Sequence, residues 1–183
     1  MVYHLSTNNR NINGTLDIGG SKSESNRLLM LREYLGDFKI TNLSKSDDTK
    51  TLIDALINTN NIIDVNHAGT AMRFLISYYA SNPDSQVILT GSDRMKSRPI
   101  AILVDALRDL GADIEYEGKE GYPPIKIIGK KIINNEVSLP ANISSQYVSS
   151  LMMLGVKIDN GIKLNLRGDI TSKPYILMTK KII

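Results

Sequence analysis

The chain contains no cysteine, which excludes disulfides and thiolate metal sites. Its two histidines, His4 and His67, are too few and too far apart for metal-ligand spacing, so neither a metal nor a cofactor is expected. No stretch approaches the roughly 18 apolar residues of a membrane span, and the N-terminus lacks a charged start followed by an apolar run. Membrane insertion and secretion are therefore unsupported, and a reducing, cytoplasmic setting is expected. Aromatic residues make up 5% of the chain and its basic residues form no dense stripe, which speaks against a nucleic-acid surface despite a pI near 9.0. What is present is an ordinary globular composition. The 183 residues are 42% hydrophobic and 22% charged, with a net charge of +3, enough for one good core or two small ones.

Apolar residues recur at helical spacing in four places. Leu28, Leu29, Arg32 and Leu35 give a face ending at Gly36; Leu52, Ile53, Leu56 and Ile57 give a second; Met72, Leu75, Ile76 and Tyr79 give a third. The clearest opens at Pro99, a residue suited to a first turn, and carries Ile100, Leu103, Val104, Leu107 and Leu110 up to Gly111. Between these lie short runs rich in β-branched residues, predicted as strands at 38–41, 87–90, 112–116, 125–128, 136–139 and 156–166. The last is read as a hairpin turning at Asn160-Gly161.

One unit recurs: a strand, a tight polar loop with a basic or hydroxyl residue, then an amphipathic helix. It is read at 15–35, 87–110, 136–154 and 162–183, while Gly69, Thr70 and Arg73 open a further helix. Such repetition predicts an α/β (α+β) fold with parallel helices packed together inside and sheets outside. Several helix N-termini then meet at one end. Each N-terminus carries unpaired N–H groups and the positive end of a dipole, so their meeting makes a site for phosphates and carboxylates. The loop side chains match, because lysine and arginine supply charge and hydroxyls fill the remaining lone pairs. Gly19-Gly20-Ser21-Lys22-Ser23 is not a nucleotide-binding P-loop: the required glycines at 16 and 21 are Leu16 and Ser21.

Five ordered stretches carry a more specific signal. They are Gly20-Ser21-Lys22-Ser23-Glu24-Ser25-Asn26-Arg27, Ala68-Gly69-Thr70-Ala71-Met72-Arg73, the run 89–100 containing Arg94, Lys96 and Arg98, Ser144-Ser145-Gln146-Tyr147, and 168–175 with Ser172, Lys173 and Tyr175. Together they resemble the 3-phosphoshikimate 1-carboxyvinyltransferase family of enolpyruvyl transferases, over rather less than half of a full-length member. The resemblance implies a domain of repeated βαβαββ units and transfer of the enolpyruvyl group of phosphoenolpyruvate to the 5-hydroxyl of shikimate 3-phosphate, in aromatic amino-acid synthesis. It implies that Lys22 and Gln146 lie between the two substrates as catalytic groups. Ser23, Arg27, Ser144, Ser145, Gln146, Ser172 and Tyr175 would hold shikimate 3-phosphate, and Gly69, Thr70 and Arg94 phosphoenolpyruvate. Lys96 and Arg98 are read as surface or ion-pair residues, and Asp47 and Asp48 as helix-capping acids. His67 and Phe74 depart from the asparagine and proline that many relatives carry.

In the resemblance the principal carboxylates, a lysine and two further arginines come from the second half of the enzyme. Residues 1–19 are then a strand segment and hinge of the other lobe, and 20–183 a substrate-binding lobe whose partner lobe is missing. The helix starting near Ser172 runs to the last residue without a cap, so the chain reads as a piece of a longer protein. Such a piece is expected to bind its ligands without turnover and to self-associate through open strand edges. The rival readings are the related transferase acting on UDP-N-acetylglucosamine and a non-catalytic anion- or RNA-binding module. The serines at 144, 145 and 172 suit a small phosphorylated ring better than a nucleotide sugar.

Overall fold

The computed structural model describes residues 3, 4, 6–8, 11 and 13–183. Helix α1 (Lys22–Leu35) is capped by Ser21, whose hydroxyl accepts the Glu24 amide at 3.4 Å, and it ends at Gly36, where φ is +103°. Helix α2 (Asp47–Ile57) follows. A full βαβαββ unit comes next: β1 (Ile62–Asp64), α3 (Gly69–Ala80), β2 (Gln86–Thr90), the single turn α4 (Asp93–Lys96), α5 (Ala101–Asp109), β3 (Asp113–Tyr116) and β4 (Ile125–Ile128). β1 pairs parallel with β2, β4 runs antiparallel to both β2 and β3, and the order across the sheet is β1-β2-β4-β3. A second unit begins with β5 (Glu136–Pro140), α6 (Ser145–Leu154), β6 (Lys163–Arg167) and α7 (Lys173–Ile182), with β5 parallel to β6.

Helix α3 is the centre of the molecule. Every residue in it except Tyr78 is buried, Thr70, Arg73 and Ser77 included, so the helix is enclosed on nearly all sides. Sheet residues alternate, with Ile63, Val87, Leu89, Ile114, Ile125 and Ile127 turned onto the helices. Where α3 meets α6, Ser150 bonds the Arg73 carbonyl at 2.8 Å and the Ser77 hydroxyl at 2.7 Å, so the buried hydroxyls are satisfied within the interface.

Several sequence expectations need correcting. Residues 38–41 form no strand, and neither does the segment from Thr15 to Gly20. In the 156–166 stretch, Asn160 and Gly161 do make a turn with φ of +66° and +72°, but no hairpin forms. Val156 and Ile158 pack against the core from a 3₁₀ turn, and β6 pairs instead with β5. Helix α5 starts at Ala101, not Pro99, because the Pro99 carbonyl accepts from Tyr147 at 2.6 Å and the Ile100 amide donates to Gly121 at 2.8 Å. In α1, Leu35 is 61% exposed, while Ser25, Asn26 and Arg27 occupy the inward face. The Ser25 hydroxyl accepts the Ser44 amide at 2.9 Å and the Asn26 Oδ1 accepts the Thr49 hydroxyl at 2.7 Å, while the Asn26 Nδ2 is buried without a partner; the partners of Arg27 are described below.

On the expectation that residues 1–19 belong to another lobe, the amides of residues 14–16 should exchange within seconds, as exposed chain does. Hydrogen-exchange protection of these amides in a monomer would overturn that assignment.

Candidate anion site

Four helix N-termini open onto one cavity of about 290 Å³, lined by Lys22, Ser23, Arg27, Thr70, Ser144, Ser145, Gln146, Ser172 and Tyr175. Lys22 and Ser23 are in the first turn of α1, Thr70 in that of α3, Ser145 and Gln146 in that of α6, and Ser172 and Tyr175 at the start of α7. No side chain caps α3 or α7. At α6 the Ser144 hydroxyl accepts the Gln146 amide at 3.3 Å, so this serine both caps its helix and lines the cavity. Ser172 has φ of +53°, a left-handed conformation unfavourable for a residue with a side chain, and its hydroxyl is not used for capping. The combined dipole ends favour an anion in this hollow.

Arg27 lines the cavity, and α3 carries a second buried arginine, Arg73. Arg27, 2% exposed, donates from Nε to Thr179 at 2.6 Å, from Nη1 to the Ser23 carbonyl at 2.8 Å and from Nη2 to Ser149 at 2.9 Å. Its guanidinium carbon also lies 5.5 Å from the centre of the Phe74 ring. Burial pulls the Arg27 pKa down and the Tyr175 phenol pushes it back up, and the group stays charged because a guanidinium starts so high. Arg73, 3% exposed, bonds the Gly69 carbonyl at 3.1 Å and the Pro99 carbonyl at 3.3 Å, tying the start of α3 to the loop before α5. Burial lowers its pKa most, and Arg98 lowers it further against opposing contributions from Tyr147. At the rim, Lys22 pairs with Asp48 at 3.3 Å, and Gln146 donates to the Thr70 hydroxyl at 3.0 Å.

Nine of the eleven residues singled out in the sequence thus share one cavity. Gly69 and Arg94 do not line it. Gly69 is buried under the Arg98 guanidinium, which occupies the space a side chain at 69 would need. Arg94 is exposed on α4, its carbonyl accepting from Ser97 at 2.8 Å. Lys96 is the surface residue expected, 3.8 Å from Asp93. Arg98 is likewise exposed, as expected, and its guanidinium lies over Gly69 at the α3 N-terminus. Asp48 departs from its capping role: Ser46 caps α2 and Asp48 faces Lys22. Only a fold that brings α1 and α2 together shows that pairing. His67 is exposed, and Phe74 is fully buried. Ser149 and Thr179 were not singled out as site residues: Thr179 reads as part of the inward face of the last helix, and a serine inside a helix carries no site signature of its own. Among the described residues, no group of acids and histidines could hold a metal ion.

Residues 56–183 match the family model described as EPSP synthase (3-phosphoshikimate 1-carboxyvinyltransferase). A 3-phosphoshikimate 1-carboxyvinyltransferase of Bacteroides fragilis (strain YCH46) is 47% identical over 184 residues, covering 100% of this chain and 44% of the relative. One from Haemophilus influenzae (strain PittEE) is 38% identical over 197 residues, covering 92% of this chain and 46% of the relative. The chain therefore spans somewhat under half the length of the curated relatives it matches. Among solved structures, EPSP synthase from Acinetobacter baumannii superimposes with a TM-score of 0.74 at 19% identity, over 90% of this chain and 42% of that one, which shows the shared fold. A matching family model over most of the chain, together with the βαβαββ unit, makes this chain a member of the EPSP synthase (3-phosphoshikimate 1-carboxyvinyltransferase) family.

Proposed function

We propose that this chain is the shikimate 3-phosphate-binding part of an enolpyruvyl transferase. The observation that carries the reading is the meeting of four helix N-termini at a hollow that also holds Lys22 and Arg27. A phosphate monoester would be gripped by Arg27, Ser144, Ser145 and Ser172, with Tyr175 along the ring that bears it. Phosphoenolpyruvate would lie beside it, near Lys22, Thr70 and Gln146, with Arg94 and Arg98 as further cations on the neighbouring segment.

In the reaction, the 5-hydroxyl oxygen bonds to C2 of phosphoenolpyruvate while C3 takes up a proton. Loss of a C3 proton with departure of phosphate from C2 then restores the double bond. Both steps develop charge beside Lys22, whose ammonium, held by Asp48, is placed to stabilise it. The hydroxyl proton and the C3 proton need acid–base groups besides those lining this cavity. The chain by itself is therefore expected to bind without turnover.

Titration calorimetry tests the reading with shikimate 3-phosphate against shikimate. We expect saturable binding of the phosphorylated ring at least about 100-fold tighter than of the unphosphorylated one, since charge-assisted bonds to the phosphate carry the affinity. Equal affinity for the two, or no heat from either, would remove the reading. An RNA-binding module would instead show binding to an unstructured oligonucleotide that falls steeply with salt.

A further inference from the structure

We propose that Thr179 and Ser149 are positioning residues: a pair of buried hydroxyls that aims the Arg27 guanidinium into the cavity without neutralising it. The proposal rests on the reading of the cavity as a phosphate site. Thr179 is the one buried residue of α7, at 0% exposure, and Ser149 on α6 is equally buried. A helix contributing a single buried side chain would ordinarily contribute an apolar one. Here that side chain is a hydroxyl within 2.6 Å of Arg27 Nε and 2.8 Å of the Ser149 hydroxyl.

The protons can be assigned. Thr179 has one hydroxyl proton, and the Tyr175 carbonyl 2.9 Å away accepts it. Its two lone pairs then face Arg27 Nε and the Ser149 proton. Ser149, having donated to Thr179, turns a lone pair towards Arg27 Nη2 at 2.9 Å. Every hydroxyl proton points away from the cation and a lone pair of each points at it. A guanidinium has five N–H bonds. Three are taken by Thr179, Ser149 and the Ser23 carbonyl, which leaves two for an anion in the cavity that Arg27 lines.

The choice of hydroxyls has a chemical reason. A carboxylate at either position would orient Arg27 equally well, yet it would cancel the charge that attracts the phosphate. The bonds of Arg27 go to two hydroxyls and a backbone carbonyl, none to a carboxylate. Because the hydroxyls come from α6 and α7 and the arginine from α1, the clamp also sets the spacing of three of the four helix ends.

The 183-residue chain permits a direct test with Thr179→Val, Thr179→Ser and Ser149→Ala. Valine keeps the β-branched shape of threonine and puts a methyl where the hydroxyl was, so the hydrogen bonds are lost without leaving a gap. Two readouts apply. Hydrogen exchange of the Arg27 Nε–Hε group, followed by NMR without ligand, should be slow in the parent chain and in Thr179→Ser, and at least about tenfold faster in Thr179→Val. Calorimetric affinity for shikimate 3-phosphate should fall about tenfold in Thr179→Val and Ser149→Ala and return in Thr179→Ser, as expected for one lost bond to a charged group. A merely structural hydroxyl would shift the unfolding midpoint without this pattern of loss and rescue. Equal exchange rates and equal affinities in all the variants would overturn the proposal. If the parent chain fails to bind shikimate 3-phosphate, the phosphate reading falls, while the exchange rates still decide whether the clamp exists. If Thr179→Val does not fold, Ser149→Ala carries the affinity readout, and exchange of the Arg27 Nη2 protons, one of which Ser149 accepts, takes the place of that of Nε–Hε.

Discussion

Arg27→Met is expected to reduce affinity for shikimate 3-phosphate by about 100-fold or more, while leaving the chain as stable as before or more so. The loss follows from removing the buried cation whose free N–H groups face the cavity. The stability half of the expectation is less intuitive. A buried charge with no acid partner carries a desolvation cost that hydroxyl bonds repay only in part, and replacing such a group by an apolar one is often neutral or stabilising. The partners left behind are provided for. Ser149 and Thr179 already bond each other at 2.8 Å, and Thr179 donates to the Tyr175 carbonyl, so neither becomes an orphan. Methionine would lie against the Phe74 ring that now faces the guanidinium. Urea unfolding should give a free energy equal to the parent's or about 1–2 kcal/mol higher. A variant that binds normally, or one that unfolds well before the parent, would contradict this account.

Phe74→Ala is expected to have the opposite signature, a large loss of stability. Phe74 is among the largest side chains with no exposure, in the middle of the central helix. Truncating such a residue removes its transfer free energy and leaves a cavity, at a cost of about 3–5 kcal/mol. For a chain of this size the thermal midpoint should fall by roughly 10 °C or more. The same ring supports Arg27, so affinity for shikimate 3-phosphate should also weaken, by a few-fold. Phe74→Leu separates the two effects: most of the volume returns, the aromatic face does not. Differential scanning calorimetry and binding measured well below the midpoint check both. A midpoint within about 2 °C of the parent for Phe74→Ala would show that the helix layer closes around the gap.

The two variants mark where sequence reading succeeds and where it stops. Loop chemistry is local, so Lys22, Thr70, Ser144, Gln146 and Ser172 were legible as a set: each stands at a helix start, and helix starts have sequence signatures. The strands of the main sheet were legible where alternation was long enough, as in Gln86–Thr90 and Ile125–Ile128. Ile62–Asp64 was not, because three residues among asparagines offer no period to detect. The supposed hairpin shows a second limit. Asn160-Gly161 specifies a turn and nothing about which strand follows it home. Burial of polar groups was the least legible of all. Asn26, Arg27, Ser149 and Thr179 all lie inside, and each is held there by partners remote in the chain. The same holds for Asp48 and Lys22, two surface charges until α1 and α2 are packed together.

Because the cavity takes one wall from α1 and another from α7, nearly the whole chain lies between its two ends in sequence. An anion seated there acts as a reversible cross-link between the first and last helices, and partial unfolding of either one would have to release it. Opening of the periphery thereby becomes coupled to opening of the core. A protein that frays from its ends when empty would, once loaded, melt as a single unit.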